Sequence, residues 1–216
     1  MIKVKRCEEP QSLKKYSAKW TRELLDEIRL HEGYKNVEEK YKIKYKKADI
    51  RKTLEIMYNS CCCYCEGKVG TQSYGQIEHL RPRVKFPELT YDWTNLHLSC
   101  EICNGKKNDK WDDDFPVIDP TVDDVNNMIR YNSITGEYEA VENNGRGSFT
   151  ISVVDLNRAS LCRRRRRIRA MLVKTFSMMK VNDVTLTWEK FCKLYEDYRL
   201  IDEYFSVYEA IFNEKI

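Results

Sequence analysis

Two Cys-x-x-Cys pairs, Cys62–Cys65 and Cys100–Cys103, constrain this chain more than any other feature. A Cys-x-x-Cys loop lets two sulfurs reach one ion, and two such loops complete the four-thiolate set of a structural zinc site. Cys61 and Cys63 crowd the first pair, but only Cys62 with Cys65 has the two-residue spacing of the second. A bound ion pins the ends of a segment too small to pack alone, so its binding energy becomes folding energy. The bland alternative is a cluster of core thiols. A disulfide framework does not fit, because the nine cysteines are odd in number and unevenly spread. Cys7, Cys162 and Cys192 read as ordinary thiols, small and hydrophobic.

The bulk numbers bound the rest. At 216 residues and 42% hydrophobic the chain can bury a core, and 33% charged residues argue against a membrane-embedded protein. No stretch approaches the roughly 18 consecutive apolar residues of a membrane helix. Met1 to Arg6 contains no apolar leader, so a cytoplasmic location is expected. A net charge of +4 permits nucleic-acid binding without demanding it. The distribution is more telling: Arg81, Arg83 and Lys85 follow His79, Lys106, Lys107 and Lys110 follow the last cysteine pair, and arginine fills positions 163 to 167.

Periodicity predicts a helix from about Leu13 to Leu30, ended by Gly33, then a charged connector over 40–47. A second helix carries Ile50, Leu54, Ile56 and Met57, with Asp49 as its expected N-cap. Between Cys61 and Lys110 the elements shorten: strands at Gln76–Leu80 and Leu96–Ser99, then a helix start at Cys103–Asn108. Ile129–Tyr131 and Tyr138–Val141 suggest a hairpin across Gly136, and Phe149–Val153 a further strand. Two long helices complete the chain, from about Asn157 to Lys180 and from Thr187 to the end. The second carries a stripe of Phe191, Leu194, Tyr198, Ile201, Phe205, Tyr208 and Phe212 that reads as core packing. The expected organisation is one compact domain in three parts: a helical segment at 1–60, the cysteine-bracketed core at 61–110, and a hairpin with long helices at 111–216.

The bracket encloses Glu78-His79 and Asn95, and it ends on Asn104. Phosphodiester hydrolysis needs an activated water and neutralisation of charge on the phosphate. A divalent cation supplies the second as a Lewis acid, and a neutral histidine supplies the first as general base. Glu78 and Asn104 offer the oxygen ligands that suit Mg²⁺ or Mn²⁺, and His79 is the base candidate. Adjacent strand residues point to opposite faces, so Glu78 and His79 share a site only if the strand twists or ends there; Pro82 lies just beyond. His97 reads as an incidental, half-exposed histidine, and His31 as a helix-end residue.

With these residues in place, Cys62 to Lys107 resembles the core of HNH endonucleases, a ββα-metal motif. The resemblance implies Glu78 at the first metal position, His79 as base, Asn95 as the central residue that orients the histidine, and Asn104 at the last metal position. Glutamate and Asn104 depart from the commoner aspartate or histidine, which implies a weakly held cation. A wider resemblance, to the HNH nuclease subunits of Septu anti-phage systems and their retron-linked relatives, rests on several further motifs. They are Met1-Ile2-Lys3-Val4 with Pro10, Cys62-Cys63-Tyr64-Cys65-Glu66, Phe86-Pro87, Tyr91 to Leu96, Ile118-Asp119-Pro120 and Asp155-Leu156-Asn157. It implies an ABC/SMC-type ATPase partner.

Five consecutive arginines cover every face of a helix, so one must point inward. Either the run is a solvated face with one structural ion pair, or it is a phosphate-contacting ridge. Arg165 stands where the resemblance places a recurring arginine and is the preferred contact of the run. Arg81, Arg83, Lys85 and Lys107 are the expected phosphate contacts near His79. The sequence thus predicts an α+β fold with a zinc-stapled ββα core in a mainly helical domain. The function it predicts is metal-dependent cleavage of nucleic acid, most simply DNA, in an anti-phage complex. The alternatives are a non-catalytic zinc-stapled binding module and a stand-alone restriction-type nuclease.

Overall fold

The computed structural model describes residues 1–70, 75–197 and 202–214. Helix α1 (Gln11–Leu30) turns Leu13, Trp20 and Leu24 inward. Its first turn is held from outside: the Asp49 carboxylate accepts from Ser12 N (2.8 Å) and from Ser12 Oγ (2.8 Å). Asp49 therefore caps α1 and not its own helix, α3 (Ala48–Met57), whose N-cap is Lys47. The expected connector contains a short helix, α2 (Glu39–Lys42), and the buried Tyr45.

The bracketed segment forms a two-stranded antiparallel sheet and a helix. Strand β1 (Gly75–His79) pairs with β2 (Leu96–Cys100), with Glu78 opposite His97 and His79 opposite Leu96. Helix α4 (Glu101–Lys107) follows β2 directly and packs on both strands. Its N-cap is Cys100, whose sulfur lies 3.5 Å from Cys103 N, so the second thiol pair and the helix start are one structure.

Strands β3 (Ile129–Asn132) and β4 (Glu137–Ala140) form the expected hairpin. Gly136 lies at φ +78°, where a Cβ would collide with the Cys162 carbonyl oxygen. The expected strand at Phe149–Val153 is instead a helix, α5 (Gly145–Val153). Asn144 accepts from Gly147 N at 2.9 Å and caps it, so local cap chemistry overrides the β-branched composition.

Helix α6 (Ala159–Asn182) is the longest. The expected final helix is two, α7 (Trp188–Asp197) and α8 (Phe205–Phe212), and Tyr204 precedes α8 in a left-handed conformation. Tyr198 and Ile201 of the expected stripe fall outside the described residues. Phe191, Tyr195, Tyr208 and Phe212 form an aromatic cluster with Trp188. The Met1 amine pairs with the buried Glu66 carboxylate, 2.9 Å from Tyr138 Oη and 3.1 Å from Ser206 Oγ. Among the described residues no helix is long and apolar enough to cross a membrane.

Candidate active site beside a four-cysteine cluster

The Sγ atoms of Cys62, Cys65, Cys100 and Cys103 lie within 4.8 Å of one another, and all four residues are buried. Zn–S bonds of about 2.3 Å in a tetrahedron set sulfurs about 3.8 Å apart. Cys65 and Cys100 stand at 3.9 Å, so the donor set fits zinc in number, chemistry and spacing. Cys61 and Cys63 are outside the group of four, and the Cys61 sulfur lies 3.2 Å from the Asp202 carbonyl oxygen. Arg158 Nη1 lies 3.5 Å from Cys103 Sγ, a cation placed to offset thiolate charge. Sequence reasoning missed Arg158, because it is 55 positions away and only the fold brings it near.

His79 is the last residue of β1. Its Nε2 lies 2.9 Å from the Thr90 carbonyl oxygen, which can only accept, so Nε2 carries the proton and Nδ1 is left basic. The ring meets Tyr45 edge-on, with centroids 4.6 Å apart. Burial, reinforced by the Arg83 guanidinium and the Lys107 ammonium, pushes its pKa down to about 3. The imidazole is therefore neutral.

Glu78 points toward the cysteine loop and α4. Tyr64 Oη donates to its Oε1 at 3.2 Å, and Lys107 Nζ lies 2.7 Å from the same atom. Burial raises the Glu78 pKa, opposed by Lys107 and Tyr64. Asn104 Nδ2 donates to Gln76 Oε1, and Asn104 Oδ1 accepts no hydrogen bond from the described residues. Gln76, Glu78, His79 and Asn104 all border one cleft of about 710 Å³, and Tyr45, Arg51 and Arg83 share its lining. Glu78 and His79 thus both border this cleft, although neighbouring strand residues point in opposite directions. Hard oxygen donors beside a neutral imidazole fit a cation such as Mg²⁺ or Mn²⁺. Asn95 stays behind the cleft and organises the loop between the two strands through bonds to Arg81 and Leu89.

Three expectations change. Lys107 is fully buried on Glu78 and on the His79 carbonyl oxygen (2.9 Å), so it cannot contact phosphate. Arg165 is also fully buried: it donates to the Gly136 and Leu156 carbonyls (3.1 and 2.9 Å) and stacks on Tyr138 at 4.5 Å. It is the inward arginine of its run and not a nucleic-acid contact. His97 is buried, not half-exposed; Arg6 approaches its Nε2 (3.2 Å) and Tyr58 Oη its Nδ1 (2.6 Å). Of the remaining basic candidates, Arg83 borders the cleft, whereas Arg81 and Lys85 are exposed outside its lining. Arg81 sits over Phe86 and Trp111. Tyr45, Arg51 and Gln76 carried no motif, and Tyr64, although inside the Cys62–Glu66 motif, was given no role.

A short antiparallel sheet, a helix and a histidine–carboxylate step inside a thiol bracket define an HNH endonuclease domain, and the HNH endonuclease family model matches residues 62–110. The chain is similar to Septu protein PtuB of Bacillus thuringiensis, at 33% identity over 73% of this chain and 55% of that protein. It is also similar to Septu protein PtuB of Bacillus mycoides, at 28% identity over 63% of this chain and 55% of the relative. The chain spans about half the length of these curated relatives.

Proposed function

We propose that this protein is a metal-dependent endonuclease that hydrolyses phosphodiester bonds of nucleic acid, with DNA as substrate, in a Septu-type anti-phage system in the cytoplasm. The observation that carries the reading is the His79 ring, fixed by Thr90 with Nδ1 unprotonated, on a cleft shared with Glu78 and Asn104. The similarity to Septu protein PtuB supports the defence role, and the resemblance to Septu nuclease subunits supports an ABC/SMC-type ATPase as partner.

In this reading Nδ1 of His79 takes the proton of the attacking water. Glu78 and Asn104 Oδ1 hold the divalent cation, Mg²⁺ or Mn²⁺, which when bound supplies Lewis acidity to the phosphate and the leaving oxygen. Asn95 keeps the Thr90 loop in place and so orients the imidazole. Arg83 and Arg51 lie where they can meet phosphates flanking the scissile bond. The four thiols hold a structural zinc that fixes the first loop against α4. Residues 1–60 and 111–216 act as scaffold for residues 61–110, not as independent domains, a reading supported by the Met1–Glu66 and Arg158–Cys103 contacts.

The test is cleavage of supercoiled plasmid, linear DNA and RNA by the zinc-loaded chain, with Mg²⁺ or Mn²⁺ and with chelator, alone and with a candidate ABC/SMC-type ATPase. Metal-dependent cutting of DNA that rises with the ATPase is expected. Cutting of RNA in place of DNA overturns the substrate assignment, and no cutting under any condition overturns the enzyme assignment in favour of a binding module.

A further inference from the structure

The two loops that carry the cluster thiols also carry the two groups that hold Glu78. Tyr64 stands between Cys62 and Cys65, and Lys107 stands one helical turn beyond Cys103 on α4. Both side chains are fully buried. Both converge on one oxygen: Tyr64 Oη at 3.2 Å and Lys107 Nζ at 2.7 Å from Glu78 Oε1. Lys107 is itself anchored by the His79 carbonyl oxygen at 2.9 Å. Glu78 Oε2 accepts no hydrogen bond from the described residues and is not among the sequestered polar atoms that lack a partner. Glu78 itself borders the cleft.

The geometry points to Tyr64 and Lys107 as positioning residues that saturate Oε1 of Glu78 and present Oε2 alone to the cleft cation. The proposal rests on the reading of Glu78 as a cation ligand and adds how that ligand is set. A carboxylate free to rotate can chelate through both oxygens. A carboxylate with one oxygen already engaged binds through the other. A small octahedral cation that must also accept phosphate and water oxygens is better served by one-oxygen ligation. Partners that orient a ligating carboxylate commonly govern metal affinity. The arrangement also gives the cysteine cluster a second task. Because both clamping residues ride on thiol-bearing loops, the cluster sets the position of a cation ligand that lies outside it. Tyr64 and Lys107 touch neither substrate nor cation; they act through Glu78.

The test is Mn²⁺ binding to the full zinc-loaded chain without nucleic acid, followed by electron paramagnetic resonance, with zinc content and thermal melting measured on each variant. Tyr64→Phe and Lys107→Met should each weaken Mn²⁺ binding about tenfold, the effect of losing one hydrogen bond to a charged group. Zinc content should be unchanged, and Lys107→Arg should recover part of the loss. Glu78→Gln is the reference. If it binds Mn²⁺ as the wild type does, the ligand reading itself fails. If Glu78→Gln is weakened while Tyr64→Phe binds as well as or better than wild type, the clamp is overturned and the ligand reading survives. Should Lys107→Met fail to melt cooperatively, Tyr64→Phe and Lys107→Arg decide between the same two outcomes.

Discussion

Asn95 grips both backbone groups of Arg81 with a single side chain: its Oδ1 accepts from Arg81 N at 2.7 Å, and its Nδ2 donates to Arg81 O at 3.1 Å. The same Nδ2 reaches the Leu89 carbonyl at 3.1 Å, next to Thr90, whose carbonyl holds His79. One buried amide thus ties both ends of the loop to His79. Asn95→Ala should lower the cleavage rate by about 10- to 100-fold, as expected when a catalytic group is misplaced by about 1 Å. Zinc content should stay at one per chain. Rate measurements with zinc analysis check both parts.

Metal removal tests the staple. The cluster joins the Cys62–Cys65 loop to the start of α4, so extraction of zinc by a strong chelator should abolish cooperative melting of the core. Cys103→Ser should do the same, whereas Cys61→Ser, outside the cluster, should retain a full zinc complement. Zinc stoichiometry by mass spectrometry, paired with calorimetric melting, is the measurement.

The contact between Asp49 and Ser12 predicts a pH effect. Burial alone would raise the Asp49 pKa, but the bonds from Ser12 outweigh it and leave it lowered. A carboxyl with a folded pKa below its unfolded value adds stability above the unfolded value and loses it as pH falls through the folded one. Asp49→Ala should therefore cost about 1 kcal/mol at neutral pH, the size of a helix cap. The gap between wild type and variant should close below about pH 4, where the unfolded-state carboxyl takes its proton. Urea denaturation across that range checks the sign.

Arg165 should matter for stability and not for binding. Arg165→Met removes bonds to two carbonyls and the stack on Tyr138, and should cost about 2–4 kcal/mol. Nucleic-acid affinity measured well below the melting temperature should not change. Arg163→Ala and Arg167→Ala, both exposed, should leave the melting temperature within about a degree or two.

The sequence exposed those features that chemistry writes locally. Cysteine spacing marked the metal cluster, short strand-like runs marked β1 and β2, and the Glu78-His79 step stood inside the bracket. What stayed hidden depends on distant partners. Asp49 reads as a cap for its own helix, and only the packing of α1 shows that it caps Ser12. Lys107 reads as a phosphate contact because lysine near a histidine usually is one; that it is fully buried follows from the docking of α4 on β1. Phe149–Val153 has strand composition, yet the Asn144 cap begins a helix there. Arg158 and Tyr45 belong to the site only through the fold.

If His79 is the general base, plasmid cleavage by His79→Ala in the presence of Mn²⁺ should fall by about 10²- to 10⁴-fold, the usual worth of such a group, with zinc content and melting as in the wild type. A folded, zinc-loaded His79→Ala protein that cuts at the wild-type rate would contradict that role.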